Sequence, residues 1–399
     1  MHKNVCFLNT NDGNSILAFG GENILKTNGE GLFNSIDNFN HTHKSKYIFS
    51  CLSYDLKNQI EDLSSKNIDL TEFPELVLFC PLHVVKLTSN GLEWLQGQKS
   101  ETSNSFVQDF ILNLSDEDHS KQQIQFNSRI TKETYLSKVN TLKKHIQRGD
   151  IYEINFCQEY YAQEVEKEHL KNAYVKLNNI TKAPFSSYFK IEGFEVFCGS
   201  PERFIKREGT VLVAQPIKGT AKRGKTKNED EQIKTALNKD PKERAENIMI
   251  VDLMRNDLSK IAAKGTVRVD ELCKVYSFNT VHQMISTVSC EVNENLPFTE
   301  ILKATFPMGS MTGAPKYKAM ELIENFEDFK RGLYSGSIGY FSPNGDFDFN
   351  VVIRTLIYNE TSKTLSCSVG SAITINSDAE KEYEECGIKI QKILDGIGM

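Results

Sequence analysis

The sequence has no run of apolar residues long enough to span a bilayer. Its longest stretches, such as Leu76–Cys80 and Ile248–Val251, fall far short of the ~20 residues a spanning helix requires. The N-terminus, MHKNVCFLNTNDGN, reaches polar residues by Asn9 and leaves no room for the apolar core of a secretory signal. Surplus positive charge is also missing. With 47 Lys plus Arg against 53 Asp plus Glu, the net charge of −6 offers no basic footprint for nucleic acid. Nine cysteines occur without a CxxC pair, their total is odd, and several sit in apolar runs such as EVFCGS and KTLSCSVG. That pattern reads as reduced, buried thiols of a cytoplasmic protein, not a disulfide framework or a zinc site. No repeat of 20–50 residues is visible, which excludes solenoids and propellers.

What is present is core material: 39% hydrophobic and 25% charged residues in a chain of 399. That length allows two or three ordinary domains or one large one. The most polar stretch, Ser115–Arg129, has the composition of a linker, so the expected division is residues 1–125 and 126–399. Helical spacing of Leu136, Val139, Leu142 and Ile146 predicts a helix over Lys132–Arg148 that stops at Gly149. A strand over Ile151–Ala162 follows, with Tyr152, Ile154 and Phe156 on one face and Glu153 and Asn155 on the other. Hairpins are expected at Glu192-Gly193 and Glu208-Gly209, and a helix from Pro241 to about Ala262, capped by Asp240. Further strands are predicted at Val267–Val292, Leu333–Phe341, Phe347–Tyr358 and Thr364–Thr374, the last three as one antiparallel succession. A final helix starts at Ser377, with Ser377 and Glu380 as a capping box. Strands and helices do not alternate strictly, so the fold class is α+β around mostly antiparallel sheets.

Four glutamates stand out by spacing. Glu243 and Glu246 share one face of the Pro241 helix, and Glu382 and Glu385 repeat the spacing on the final helix, where Lys389 continues the stripe. The apolar face of that last helix is instead Tyr383, Cys386, Ile390, Ile393 and Ile397. Carboxylates from two helices could hold a hard cation through oxygen, Mg²⁺ best of all; capping by Asp240 with Glu243, and a solvated glutamate face, are the competing reading. The loop FPMGSMTGAPK (306–316) precedes a helix beginning at Pro315, where free backbone N–H groups could face an anion or merely cap a core helix. It is not a GxxxxGK[ST] phosphate loop. Arg354, amid Val351, Val352, Ile353 and Leu356, is costly to bury unless it meets an anion. In GSPERF, Glu202 could have a raised pKa and act as an acid; in PIKGTAKRG, Lys218 could be desolvated, its pKa lowered and its amine freed as a nucleophile.

Taken in order, GDIYEINFCQ, GSPERF, PIKGTAKRG, RAENIMIVDLMRNDL, HQMISTV, GSMTGAPK, RGLYSGSIGY, IRT and EYEECGIK resemble the chorismate-utilising enzymes over about residues 130–399. The resemblance implies a large two-sheet β core flanked by helices, completed by the N-terminal third, with the site between the sheets. It implies Glu246 and Glu385 as direct Mg²⁺ ligands, and Glu243 and Glu382 as partners acting through water. Tyr334, Arg354, Gly370 and Lys389 match positions that hold substrate carboxylates; Gly219, Thr220, Ser310 and Thr312 line the pocket, and His282 matches a pocket histidine. Lys218, third in PIKGT, is similar to the aminodeoxychorismate synthase branch (component I), since anthranilate synthases typically carry alanine there. In the implied reaction Lys218 attacks C2 of chorismate while Glu202 protonates the departing 4-hydroxyl. Ammonia then adds at C4 and expels the lysine, giving 4-amino-4-deoxychorismate for 4-aminobenzoate and folate synthesis.

Two positions depart from the family pattern. Glu153 stands where water-adding members have lysine and amine-adding members usually have glutamine, and Gly370-Ser371-Ala372 replaces a Gly-x-Gly. The absent lysine argues against an isochorismate synthase. No GxCxG segment of a glutamine amidotransferase is found, so a separate glutaminase subunit is expected to supply ammonia. The chain ends with the family's last helix, so no fused lyase is expected. The rivals are anthranilate synthase component I and a non-catalytic chorismate-binding subunit.

Overall fold

The structure, a computed structural model, describes residues 2–114 and 124–397. Most of the expected linker, residues 115–123, lies outside the described residues, as does the side chain of Ile397; the expected boundary after residue 125 falls just beyond that stretch.

Among the described residues, two antiparallel sheets of eleven and ten strands dominate, counting Asn127–Ser128 and Arg268–Ser277, which pair off the main paths with Glu153–Ala162 and Val281–Glu291. The first runs in spatial order Gly313–Ala314, Glu153–Ala162, Thr364–Ile373, Thr355–Asn359, Phe194–Ser200, Phe185–Ile191, Val5–Asn9, Asn14–Phe19, His83–Thr88 and Gly91–Gln96. The second runs Ile217–Lys222, Val281–Glu291, Val211–Gln215, Arg203–Glu208, Phe347–Asn350, Ser337–Phe341, Ile48–Leu52, Leu76–Cys80 and Asn23–Thr27. Strands from the first hundred residues therefore extend both sheets. One apolar cluster fills the space between the sheets, with Phe189, Val196, Cys198 and Ile357 from the first meeting Phe49, Phe79, Ile205 and Phe349 from the second. A second cluster packs the helices Ala173–Thr181 and Ala379–Ile397 on the outer face of the first sheet through Leu177, Cys386 and Ile390. No described helix is long and apolar enough to cross a membrane. All nine thiols are buried and unpaired, as their apolar settings predicted.

The helix Lys132–Arg148 and both hairpins lie where the sequence places them. The Pro241 helix ends at Ser259, and Asp240 caps it by accepting from the amides of Lys242 and Glu243. Three expectations need correction. The segment Phe347–Tyr358 is two strands in different sheets, Phe347–Asn350 and Thr355–Asn359, because Arg354 adopts φ 53° and breaks the extended run. The final helix is capped by Asp378, which accepts from the Lys381 amide; Ser377 accepts instead from the Thr374 amide, so there is no Ser377–Glu380 box. Tyr152 precedes the strand, which begins at Glu153, and is 66% exposed, so it does not share the buried face of Ile154 and Phe156.

Candidate active site

The chain crosses between the sheets at two points that matter most. Pro201 lacks the N–H needed to continue the ladder, so the Phe194–Ser200 strand stops and Arg203 begins in the second sheet, leaving Glu202 at the crossing. The other crossing, Val351–Arg354, lies against it: the Val351 amide donates to the Glu202 carbonyl (3.0 Å) and the Gly199 amide to the Arg354 carbonyl (3.0 Å). Burial pushes the Glu202 carboxyl up to about 7, opposed by the Ser310 hydroxyl, which donates to Oε1 at 2.7 Å, and by the charges of Lys218 and Arg354. Burial likewise lowers the Arg354 guanidinium, with Glu202 offsetting it. Among the described residues no side chain pairs with that guanidinium, which leaves its forked donors open to an anion.

Ser310 is held by a neighbour that sequence reasoning passed over. Asn155, on the Glu153–Ala162 strand, donates its side-chain amide to the Ser310 carbonyl (3.0 Å) and its backbone amide to the Thr312 carbonyl (2.8 Å). Nothing in the strand's alternation distinguishes Asn155 from any polar residue, so only the tertiary contacts reveal it. The loop itself is less open to anions than its glycines suggest. The amides of Met311 and Thr312 donate to the carbonyls of Met308 and Gly309, and the fully buried Thr312 hydroxyl bonds those same two carbonyls. Lys316 is turned away toward Asp257 and the Thr305 carbonyl.

Gly370 lies directly against this neighbourhood. A Cβ there would stand 2.5 Å from both Asn155 Oδ1 and Cys157 Sγ. Both obstacles are short side chains of the neighbouring strand, and the Phe156 carbonyl would lie 3.3 Å away, so Gly370→Ala is expected to cost about 1–3 kcal/mol in urea unfolding, the range for overpacking. Turnover should fall more than stability, because Asn155 must rotate off Ser310; equal turnover at reduced stability would show that Asn155 does not matter.

Lys218 lies on the Ile217–Lys222 strand, its Nζ 3.2 Å from Glu153 Oε1 and 3.6 Å from Glu246 Oε2. Burial alone would lower its pKa, but Glu153, Glu246 and Glu243 outweigh burial and hold it above the ordinary lysine value. The expectation of a lowered pKa is thus reversed, because acids surround the amine that flanking apolar residues were expected to desolvate. Glu153 is 2% exposed, and its Oε2 has no hydrogen-bond partner among the described residues. Gly219 (φ 97°) brings the backbone under Glu243, whose Oε2 would be 3.1 Å from a Cβ at that position. Burial and the charge of Glu246 raise the Glu243 carboxyl.

From the final helix, Glu382 is buried and Glu385 pairs with Lys389 at 2.7 Å. Lys389 also donates to the Gly370 carbonyl at 3.1 Å, which ties the helix to the site. Burial raises Glu385, but Lys389, Lys218 and Lys242 outweigh it and leave the carboxyl below its usual value. The four glutamates are all oxygen donors of the kind a hard cation takes. As placed, however, Glu246 faces Lys218 and Lys242 while Glu385 faces Lys389, and no group of three acidic, His or Cys side chains among the described residues is close enough to hold a metal.

Three other expected site residues have these settings. His282 is fully buried, with Nε2 2.9 Å from Asp230 and Nδ1 2.9 Å from the Ser277 hydroxyl, so both nitrogens secure the Lys227–Lys239 helix and the strand edge. Thr220 is exposed beside Gly219. Tyr334 is buried with its hydroxyl 4.0 Å from Cys157 Sγ, and burial raises its pKa. A cavity of about 600 Å³ lies elsewhere, lined in part by Asn9, Phe185, Arg203 and Asp348, and none of the residues assigned to the site borders it.

Comparison with known proteins gives a consistent picture. The family profile described as "chorismate binding enzyme" matches residues 8–395. Aminodeoxychorismate synthase component 1 of Escherichia coli (strain K12) is 39% identical over 269 residues, covering 67% of this chain and 58% of that protein. The protein of the same name from Bacillus subtilis (strain 168) is 34% identical over 348 residues, covering 84% of this chain and 73% of its own. The crystal structure of anthranilate synthase component I from Streptococcus pneumoniae TIGR4 superposes with a TM-score of 0.81, at 23% identity and over 96% of this chain and 92% of that one. At that identity the likeness shows the two-sheet α+β fold. The chain thus spans little more than half the length of the Escherichia coli relative.

Proposed function

The chain belongs to the chorismate-binding enzyme family, and from that premise we propose that it is the component I of an aminodeoxychorismate synthase, converting chorismate and ammonia to 4-amino-4-deoxychorismate. Lys218 carries the reading: an amine inside the site, with the acid Glu202 near enough for each to feel the other's charge. Anthranilate synthases typically carry alanine at that position, and relatives of 34–39% identity bear the aminodeoxychorismate synthase name.

Arg354, whose fork no described side chain pairs, takes one carboxylate of chorismate, and Lys389 with Tyr334 and Gly370 borders the position of another. Lys218 is held as an ammonium, so attack on C2 requires it to give up a proton, and Glu153 is the acceptor within hydrogen-bond reach. Glu202, near neutrality in its pKa, has the proton to give the departing 4-hydroxyl as water. Addition of ammonia at C4 then returns the electron pair to Lys218 and frees it.

Glu153, Glu243 and Glu246 surround Lys218, and Glu385 pairs with Lys389, so acids already occupy the cations there, which disfavours a dianion unless a further cation is present. Glu246 and Glu385 would hold Mg²⁺ directly and Glu243 and Glu382 through water, once they release their lysines. The ion supplies positive charge against which a substrate carboxylate binds. A separate glutaminase subunit supplies the ammonia, in keeping with the "component 1" in the relatives' names.

The purified chain, given chorismate, Mg²⁺ and ammonium, should yield 4-amino-4-deoxychorismate by mass spectrometry and lose turnover on chelation, with recovery when Mg²⁺ is restored. Anthranilate as the main product would refute the assignment. No turnover even with a cognate glutaminase would favour a chorismate-binding protein without activity.

A further inference from the structure

Glu327 and Arg331 flank the turn that follows the helix Lys316–Phe326. Each side chain is 1% exposed, and they pair at 2.6 Å. The Arg331 guanidinium donates to both Glu327 oxygens (2.6 and 2.8 Å), to the carbonyls of Met311 (2.7 Å) and Asn155 (2.8 Å), and to the Ser335 hydroxyl (3.3 Å). Its face lies 4.6 Å from the centre of the Tyr54 ring. Glu327 Oε1 also accepts the Cys157 amide at 2.8 Å. One ion pair therefore grips the 309–311 turn, the Glu153–Ala162 strand and the 331–335 turn that carries Tyr334.

Stability alone is a poor account of such a pair, since apolar residues of similar volume often serve a core as well or better. Its bonds go to the frame of the candidate site. Arg331 holds Met311 and Asn155; Asn155 holds the Ser310 carbonyl; the Ser310 hydroxyl holds Glu202 at 2.7 Å. We infer that the Arg331–Glu327 pair is a positioning device that sets Ser310 against Glu202 for proton delivery to the substrate. The inference rests on the reading of Glu202 as the acid, and Arg331 itself touches no reacting atom. The groups acting on the Glu202 carboxyl are Ser310, the Ile217 amide, Lys218 and Arg354, and only the first depends on Arg331 in this way.

Arg331→Lys keeps a charge for Glu327, but an ammonium cannot span Glu327 and two carbonyls as a planar fork does. Its kcat should fall about 10- to 100-fold with KM for chorismate within about threefold, the pattern of a misplaced acid and not of lost binding. The alkaline limb of adduct formation should move upward, because the Ser310 hydrogen bond favours the charged carboxylate. In a Ser310→Ala background, Arg331→Lys should move that limb no further. If Arg331→Lys does not fold, Arg331→Met with Glu327→Leu removes both charges at similar volume and should show the same kcat loss and limb shift. A folded variant with unchanged kcat and pH profile overturns the inference. A wild-type chain that forms no adduct with chorismate overturns the reading of the site and this inference with it.

Discussion

Lys218→Ala is expected to abolish any covalent adduct between the chain and chorismate and to lower turnover on the order of 10³-fold or more, the scale on which loss of a covalent nucleophile is felt. Direct displacement of the 4-hydroxyl by ammonia asks one step to break a poor leaving group's bond and form the new one together. Attack by the lysine amine divides that barrier into two steps, and without the amine the divided path is closed. Intact-mass measurement during a chorismate pulse checks the adduct, and its persistence in the variant would mean that another group is the nucleophile. One complication follows from the geometry. Removing the ammonium leaves Glu153, 2% exposed, without the one cation that pairs with it among the described residues, and an unpaired buried charge is strongly destabilising. The double variant Lys218→Ala with Glu153→Gln should therefore regain stability but form no adduct, separating folding from chemistry.

Glu202→Gln should lower the rate of adduct formation by about 10²- to 10⁴-fold, the range for loss of a general acid. In the wild type that rate should fall as pH rises through about 7, where the Glu202 carboxyl loses its proton, and the variant should lack this limb. Measuring the adduct without ammonia matters, because the protonation of ammonia would otherwise distort the profile. A wild-type rate that is flat from pH 6 to 8 would exclude Glu202 as the acid. The same substitution should stabilise the fold at alkaline pH. Because the carboxyl rises from 4.5 to about 7 on folding, the folded state binds the extra proton between those values. Stability is full below 4.5 and is lost as pH climbs toward 7, by roughly 3 kcal/mol for a shift of this size. A neutral amide avoids that loss, so chemical denaturation should find Glu202→Gln more stable than wild type at pH 8 and little changed at pH 5. Activity and stability thus oppose one another at this residue.

Short-range information made much of this legible. Asp240-Pro241 caps a helix by local geometry, and the Glu192-Gly193 and Glu208-Gly209 turns fall between strand-like runs, so those elements sit where the sequence places them. The strings GSPERF, PIKGT and IRT pointed to Glu202, Lys218 and Arg354, and the fold brings the last two within electrostatic reach of the Glu202 carboxyl. Other features depend on what packs against a residue. The bond between a His282 nitrogen and Asp230 joins residues fifty-two positions apart, which the string around His282 does not disclose. Phe347–Tyr358 reads as one strand because β-branched and aromatic residues dominate it, and only the sheet crossing at Arg354 divides it.

What the sequence determined by itself is the family resemblance, the α+β class and the identity of the nucleophile and acid candidates, all of which depend on residue type and order. The charge state of Lys218 was decided by the tertiary structure, because its pKa depends on the distances to Glu153 and Glu246, and these come from a different strand and a helix. The apolar neighbours of Arg354 already pointed to an anion, but that no described side chain pairs with its guanidinium was decided only by the fold. Electrostatic energy depends on separation and burial, and both are set only when distant segments meet.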